Sequence, residues 1–284
     1  MLTAVFLAAA AQSLSANNYA VDEPMPAHSA ALQWSDEFDG TALDASKWSF
    51  DTSRNKAGWY NKELQYYAAD RPENLRVGDG QLTIELRNDP EAISRFPDWG
   101  GQQYSSAKIV TKDKAAFTTG FVEVSAKLPC ARGTWPAIWM LPQAESRWPD
   151  GGEIDILEQV GSQPNVAHAN LHTALFNHVK QTGRGAETPV PTACSAFHRY
   201  QLAWTPDAIT AGVDGRAYMR VRNDQPGGRG AWPFESPFYL ILNLAMGGDW
   251  AGARGIDDAA LPQRFDVDYV RVYDMPRARP AGRE

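Results

Sequence analysis

Three acidic side chains, Glu153, Asp155 and Glu158, lie within six residues of a strand-like run that is otherwise apolar. On a β-strand successive side chains alternate faces, so Glu153 and Asp155 point the same way whereas Glu158 would point away. A one-residue bulge between Asp155 and Glu158 would bring all three acids onto one open face and leave Ile154 and Ile156 packed inward. Carboxyl groups held together in this way can act as acid, base or nucleophile. The alternative interpretation is a solvated acidic stripe on a half-buried strand.

Three tryptophans just upstream of the acids, Trp135, Trp139 and Trp148, indicate which chemistry the carboxyl groups would serve. Pyranose rings have apolar C–H faces that stack on aromatic rings. Cleavage of a glycosidic bond requires two carboxyl groups that flank the scissile bond. The combination therefore favours sugar chemistry over the acidic stripe. Trp135 and Trp139 are four residues apart and share a face on a regular strand, and one of them could belong to the core instead.

The composition narrows the class of protein. The chain has 284 residues, of which 43% are hydrophobic and 21% charged. These values predict one large or two small globular domains with an ample core. The net charge of −7 argues against nucleic acid as a partner and mildly against heavily sulfated polysaccharides. Neither the length nor the charge argues against an uncharged polysaccharide.

The N-terminal residues and the cysteines bear on the compartment. Residues 1–16 contain an apolar run and then small residues, which predicts a secretory signal peptide too short to span a bilayer. We therefore expect a secreted or periplasmic protein with no membrane partner after cleavage. Cys130 and Cys194 could form one disulfide in an exported chain, and the sequence leaves that pairing open.

The pattern along the chain predicts an all-β fold in a single domain over residues 32–275. Short apolar or alternating runs are separated by Gly, Pro, Asp and Asn, with little of the 3.6-residue period of helices. Many strands at this spacing predict a β-sandwich. Residues 17–31 are predicted to be a linker, and residues 276–284 a disordered tail.

The acidic run from Glu153 to Glu158 resembles the active-site signature of glycoside hydrolase family 16, in the bulged form typical of laminarinase-like endo-β-1,3-glucanases. Further segments similar to this family follow one another in order and begin at Trp34, Gly58, Asp79, Gly133, Asn243 and Val267. The resemblance implies a jelly roll, that is, a concanavalin A-like β-sandwich with a concave substrate cleft. It also implies a retaining double displacement that needs no cofactor for catalysis.

The resemblance also implies roles for individual residues. Glu153 would be the nucleophile, Glu158 the acid and base, and Asp155 a hydrogen-bonding partner of the nucleophile. Retention would require the two catalytic carboxyl groups to lie about 5–5.5 Å apart, against about 6.5–9.5 Å for inversion. The substrate contacts that the resemblance implies are Asn61, Trp135, Trp139, Trp148 and His172. Asn61 has an alternative interpretation as a turn residue.

A structural calcium ion is the one metal that the resemblance implies, at a site away from the cleft. Glu37, Gly80 and Asp268 occupy the matching positions. Calcium is bound by oxygen ligands such as carboxylates and backbone carbonyls. The alternative is that Asp268 makes only local hydrogen bonds.

These observations lead to one principal hypothesis and three alternatives. The principal hypothesis is a secreted, monomeric endo-hydrolase of laminarin-type β-1,3-glucan, with mixed-linkage β-1,3-1,4-glucan as a second candidate substrate. The alternatives are a β-galactanase of agarase or carrageenase type, a transglycosylase, and a non-catalytic glucan-binding protein. Two departures from the laminarinase pattern bear on specificity: Lys108 replaces a frequent arginine, and Tyr60 replaces a usual glycine.

Overall fold

The computed structural model describes residues 19–276, in which strands are the main regular elements and are joined by turns, loops and short helices. In chain order the strands of the described residues are β1 (Ala20–Pro24), β2 (Leu32–Asp36), β3 (Ser49–Phe50), β4 (Gln65–Tyr67), β5 (Leu75–Gly78), β6 (Gln81–Asn88), β7 (Tyr104–Ser106), β8 (Lys108–Val110), β9 (Gly120–Lys127), β10 (Thr134–Pro142), β11 (Glu153–Glu158), β12 (Val166–His172), β13 (Arg184–Pro189), β14 (His198–Trp204), β15 (Ala208–Val213), β16 (Arg216–Arg222), β17 (Phe238–Met246) and β18 (Gln263–Tyr273). The helices are short: α1 (Pro90–Ile93), α2 (Gly248–Ala251) and 3₁₀ turns at Tyr60–Lys62, His178–Lys180, Gly228–Gly230 and Asp258–Ala260. The prediction of an all-β fold is confirmed.

The strands form two sheets that enclose one core. The larger sheet has the order β1-β16-β15-β14-β9-β18-β6-β7-β4, with β2 also paired to β18 and β5 to β6. The smaller sheet has the order β13-β12-β11-β10-β17-β8-β3. Apolar side chains of both sheets belong to a single buried cluster, for example Val122 and Val124 of β9 with Ile138 and Met140 of β10. This is a β-sandwich, and it places β11 near the middle of the smaller sheet.

The outward face of β9 shows how a strand with alternating polar residues becomes buried on both sides. Glu123 lies between Val122 and Val124 in sequence and is only 8% exposed. Its carboxylate accepts hydrogen bonds from Gln201 Nε2 at 2.6 Å and from the Tyr269 hydroxyl at 2.8 Å. Because neighbouring strands supply these donors, the carboxylate can be buried without losing its hydrogen bonds.

The predicted linker over residues 17–31 is wrong in part, because Ala20–Pro24 is strand β1. This strand pairs antiparallel with β16 at the edge of the larger sheet. Asp22 forms an ion pair with Arg216, and Glu23 forms one with Arg220. Because β1 carries charged residues, it lacks the apolar alternation by which a strand is recognised in a sequence. Opposite charges on paired strands stabilise an edge strand all the same.

Other predictions about the chain ends concern residues that the structure does not cover. The predicted signal peptide, residues 1–16, and the tail from residue 277 onward lie outside the described residues. Within residues 19–276 no helix is long and apolar enough to cross a membrane.

The two cysteines form a disulfide that joins the segment after β9 to the segment before β14. The Cα atoms of Cys130 and Cys194 are 5.8 Å apart, within the usual range for a disulfide, and the residues are 64 apart in sequence. In the chain-entropy model, closing a loop of this length stabilises the fold by about 4 kcal/mol. The bond thus reinforces the pairing of β9 with β14.

Candidate active site

A bulge in β11 places the acidic cluster. Between the pairs that Asp155 and Glu158 form with β12, two residues of β11 lie opposite the single residue Ala169. The two residues are Ile156 and Leu157, and both side chains are buried in the core between the sheets. The extra residue reverses the parity of the strand, as expected from the spacing, and turns Glu158 toward the same side as the other acids.

The turn before β11 requires glycine. Gly152 has a φ of 88°, a conformation that other residues rarely adopt. A Cβ atom at this position would lie 2.6 Å from Pro233 Cγ and 3.0 Å from Phe234 Cε1. The backbone therefore approaches these rings closely immediately before Glu153, which fixes where the first acid enters the site.

Glu153 is held between an indole donor and an imidazole. Trp148 Nε1 donates to Glu153 Oε2 at 3.0 Å, and His172 Nε2 lies 3.8 Å from Glu153 Oε1. Burial, followed by the charge of Asp155, raises the pKa of Glu153 to about 8. The charges of His172 and Lys108 and the hydrogen bond from Trp148 act in the opposite direction on that pKa. These three groups are the ones that favour the ionised form of Glu153.

Asp155 is the most deeply buried of the three acids. It is 3% exposed, and burial raises the pKa of its carboxyl group. His172 Nε2 lies 3.3 Å from Asp155 Oδ2, so the imidazole is close to the carboxylates of both Asp155 and Glu153. His172 is itself only 4% exposed. The structure thus places the His172 imidazole against two of the acids and not among the residues that line the cleft, and its contact with a sugar stays a prediction.

Glu158 has a second tryptophan as its donor. Trp135 Nε1 donates to Glu158 Oε1 at 3.0 Å. Burial and the charges of Asp155 and Glu153 raise the pKa of Glu158 well above its ordinary value. Trp135 is 9% exposed, and its ring packs edge-on against that of Trp250 with centroids 5.2 Å apart. Trp135 therefore supports the acid from the wall of the site as well as bordering it.

The acids open into a cleft of about 640 Å³ that runs across β11, β10 and β17 of the smaller sheet. All three carboxylates line this cleft, and so do four of the five predicted substrate contacts, namely Asn61, Trp135, Trp139 and Trp148. The aromatic side chains along it include Trp59, Tyr60, Trp135, Trp139, Trp148 and Tyr239. A cleft with this lining suits an extended chain of pyranose rings, whose apolar faces stack on aromatic rings.

One wall of the cleft is organised by a buried lysine. Lys108 Nζ lies 4.8 Å from the Trp59 ring centroid and 5.1 Å from that of Trp139, and it forms an ion pair of 2.9 Å with Asp51. Trp139 Nε1 donates to Asn243 Oδ1 at 2.7 Å, which fixes the indole against its neighbouring strand. Lys108 thus holds two aromatic rings through cation–π contacts.

Asn61 lies in the 3₁₀ turn at the rim of the cleft. Its φ of 55° is left-handed, and its Nδ2 donates to Glu63 Oε1 at 3.4 Å. Asn61 is therefore both a turn residue and a residue of the cleft wall. Glu63, which also lines the cleft, accepts a second hydrogen bond from Gln65 Nε2 at 2.9 Å, and burial raises the pKa of Glu63.

Several cleft residues were not among the predicted contacts. They include Glu63, Lys108, His178, Tyr239 and Asn243. The His178 ring lies 5.1 Å from the His172 ring and 5.2 Å from the Trp148 ring, and burial lowers the pKa of His178. His178 follows a loop rather than a patterned strand, so its sequence context carried no signal. Asn243 and Glu63 lie within segments that resemble the family, so the sequence did carry a signal for a role of these two residues at the site.

Potential metal ligands meet at one place in the part of the chain that the structure describes. Ligand atoms of Glu153, Asp155 and His172 all lie within 4.8 Å of one another. An imidazole between two carboxylates accounts for this group without a metal ion. At the predicted calcium site, Glu37 Oε2 lies 2.6 Å from Arg271 Nη2, and Arg271 Nε also donates to this carboxylate. Glu37 therefore does not fit as a free acidic ligand, since a calcium ion would have to displace the arginine.

A β-sandwich that gathers three carboxylates and several tryptophans in an open cleft has the architecture of a glycoside hydrolase. The model of the glycosyl hydrolases family 16 matches residues 62–271, and the chain belongs to this family. The resemblance seen in the sequence is confirmed.

Relatives with known names and structures cover most of the chain. A β-glucanase of Rhodothermus marinus is 47% identical over 251 residues, which are 85% of this chain and 84% of that protein. The solved structure of SCLam, a non-specific endo-β-1,3(4)-glucanase, is 50% identical with a TM-score of 0.86, over 91% of this chain and 96% of that one. The laminarinase structure from Rhodothermus marinus is 45% identical with a TM-score of 0.81, over 89% of this chain and 100% of that one.

Proposed function

We propose that the protein is an endo-acting hydrolase of laminarin-type β-1,3-glucan, with mixed-linkage β-1,3-1,4-glucan as a second substrate. The observation that carries the proposal is the pair of Glu153 and Glu158 on one face of the bulged strand, each with an indole donor at 3.0 Å. The names of relatives, a β-glucanase and a laminarinase, support the substrate class.

The proposed reaction is a double displacement at the anomeric carbon. The carboxylate of Glu153 attacks this carbon and forms a covalent glycosyl-enzyme, while Glu158 gives its proton to the departing glycosidic oxygen. Glu158, now ionised, then takes a proton from water, whose oxygen attacks the same carbon and releases Glu153. Each displacement inverts the configuration, so two displacements retain it.

The surroundings of the two acids support this division of roles. A nucleophile must be ionised; burial and the charge of Asp155 raise the pKa of Glu153 to about 8, and Trp148, His172 and Lys108 limit that rise by favouring the ionised form. A proton donor must keep its proton, and burial with two neighbouring carboxylates raises the pKa of Glu158. In this scheme His172 is a positioning residue that acts through the carboxylates of Glu153 and Asp155.

Product stereochemistry tests the mechanism. Proton NMR of a fresh digest should show the β anomer before mutarotation, and an initial α anomer would contradict retention. Glu153→Ala supplied with azide should release an α-glycosyl azide, because azide replaces the missing nucleophile. Glu158→Ala with azide should instead release the β-glycosyl azide, because the covalent intermediate still forms. The reverse pattern would exchange the two roles.

A β-galactanase remains the main competing function within this family, and substrate range separates it from a glucanase. Incubation with laminarin, lichenan, agarose and carrageenan should release reducing ends from laminarin and, more slowly, from lichenan. The net charge of −7 disfavours the sulfated carrageenan. Activity confined to agarose or carrageenan would contradict the glucanase proposal. Glucan binding without reducing ends would favour a binding protein, and longer sugar products would favour a transglycosylase.

We also propose that the chain is exported and acts as a monomer. The Cys130–Cys194 disulfide supports an oxidising compartment, and residues 1–16 have the composition of a signal peptide. N-terminal sequencing of the extracytoplasmic protein should find residues 1–16 removed, and light scattering should give the monomer mass.

A structural calcium stays a prediction. A melting temperature that falls with chelator and recovers with calcium would support it, and an unchanged one would contradict it.

A further inference from the structure

Tyr60 is an exposed aromatic residue at the rim of the cleft. It is 66% exposed and lines the cleft, whereas the preceding Trp59 is only 7% exposed. Single exposed aromatic residues are ordinary on protein surfaces, so exposure alone does not make a site. The support that surrounds this ring is what distinguishes it.

A guanidinium group backs the Tyr60 ring. Arg54 Cζ lies 4.5 Å from the ring centroid, and Arg54 Nε donates to the carbonyl oxygen of Gly58 at 3.1 Å. This hydrogen bond ties the arginine to the backbone just before the aromatic pair. Since the guanidinium occupies one face and the residue is two-thirds exposed, the opposite face of the ring is open.

The loop that carries Tyr60 is fixed at both ends. Asn55 is fully buried, its Oδ1 accepts from Trp59 Nε1 at 3.1 Å and from Tyr67 N at 3.0 Å, and its Nδ2 donates to Tyr67 O at 2.9 Å. On the other side, Leu64 N donates to Met246 O at 2.8 Å. The ring is therefore held before any ligand arrives, and binding loses little conformational entropy.

We propose that Tyr60, backed by Arg54, is an additional sugar subsite that stacks on a glucosyl residue of longer glucan chains. The inference rests on the proposed function, because the occupant is a further unit of the same polysaccharide. The apolar face of a pyranose fits an open aromatic face, and aromatic side chains give such contact area at low entropic cost. The hydrogen bonds to the two catalytic glutamates come from Trp148 and Trp135 and not from Tyr60, so the subsite affects the binding of long substrates and leaves the chemical step unchanged.

The test measures kcat and KM for laminari-oligosaccharides of increasing length with the full chain and with Tyr60→Ala, Tyr60→Phe and Lys56→Ala. For Tyr60→Ala we expect KM to rise about three- to tenfold on long substrates, with kcat unchanged and with no change on the shortest substrates. Tyr60→Phe keeps the ring and should behave as wild type. Lys56→Ala is the matched control, since Lys56 is exposed on the same loop and does not line the cleft.

Each other outcome has a distinct meaning. A Tyr60→Ala enzyme with the wild-type dependence on length would overturn the subsite and leave the proposed function intact. An equal loss on short and long substrates would also overturn it, because the residue would then act only on loop structure. A wild-type enzyme that cleaves no glucan would overturn the proposed function and the subsite together. Arg54→Met should give a smaller, equally length-dependent rise in KM, since the ring remains but loses its support.

Discussion

Trp148 Nε1 donates a hydrogen bond of 3.0 Å to Oε2 of Glu153. The donor belongs to the loop before β11 and the acceptor is the first residue of that strand. A residue that the sequence suggested as a stacking platform for sugar therefore also touches the proposed nucleophile. A neutral N–H that points at a carboxylate stabilises its charge and fixes its orientation.

Replacement of Trp148 by Phe should lower kcat about tenfold, because the ring remains while the hydrogen bond to the charged group, about 1.5 kcal/mol, is lost. Steady-state kinetics on laminarin measure this. Trp139→Phe is the matched control, since the indole of Trp139 donates to Asn243 and not to an acid. An unchanged kcat in Trp148→Phe would mean that the hydrogen bond has no part in the reaction.

Glu158→Gln should lower kcat/KM on laminarin by about 10²–10⁴-fold, the usual contribution of general acid–base catalysis. The first displacement should survive on an aryl glycoside whose leaving group needs no proton, so the covalent intermediate should accumulate. Rapid mixing would detect it as a burst of released phenol. A variant that is equally slow with both substrates would show that Glu158 is not the proton donor.

Asp155→Asn should move the pH profile of kcat/KM toward lower pH. The negative charge of Asp155 opposes ionisation of Glu153 and Glu158 and so raises the pKa of each. A neutral amide removes this repulsion, and both pKa values fall. The acid limb follows ionisation of the nucleophile and the alkaline limb follows loss of the proton from the acid, so both limbs shift in the same direction. A profile of unchanged position in a folded variant would contradict this electrostatic coupling.

Removal of the disulfide should destabilise the fold without altering the site. Cys130→Ser with Cys194→Ser should lower the free energy of unfolding by up to about 4 kcal/mol, measured by urea denaturation. Reduced wild-type protein serves as the control and should unfold at the same urea concentration as the double variant. If the reductant left wild type unchanged, the bond would not contribute to stability.

The all-β fold class and the grouping of the three acids could be predicted from the sequence, and the reason is physical. Strand patterning repeats every two residues, so an acid at an odd spacing, as at Glu158, already requires a bulge. The edge strand Ala20–Pro24 was missed because its charged residues interrupt that alternation and are neutralised only by Arg216 and Arg220 of the paired strand. The alternation of apolar residues identifies a central strand from the sequence, whereas an edge strand with charged residues is identified only by its pairing with a neighbouring strand.

By itself the sequence determined which residues can do the chemistry: two glutamates and an aspartate on a strand, with tryptophans nearby. Only the tertiary structure decided which tryptophan serves which acid, Trp148 for Glu153 and Trp135 for Glu158. It also showed that the His172 imidazole lies 3.3 Å from the Asp155 carboxylate, whereas its contact with a sugar stays a prediction. These relationships depend on the register of neighbouring strands and on loop conformation, which bring together side chains whose distances along the chain carry no such information.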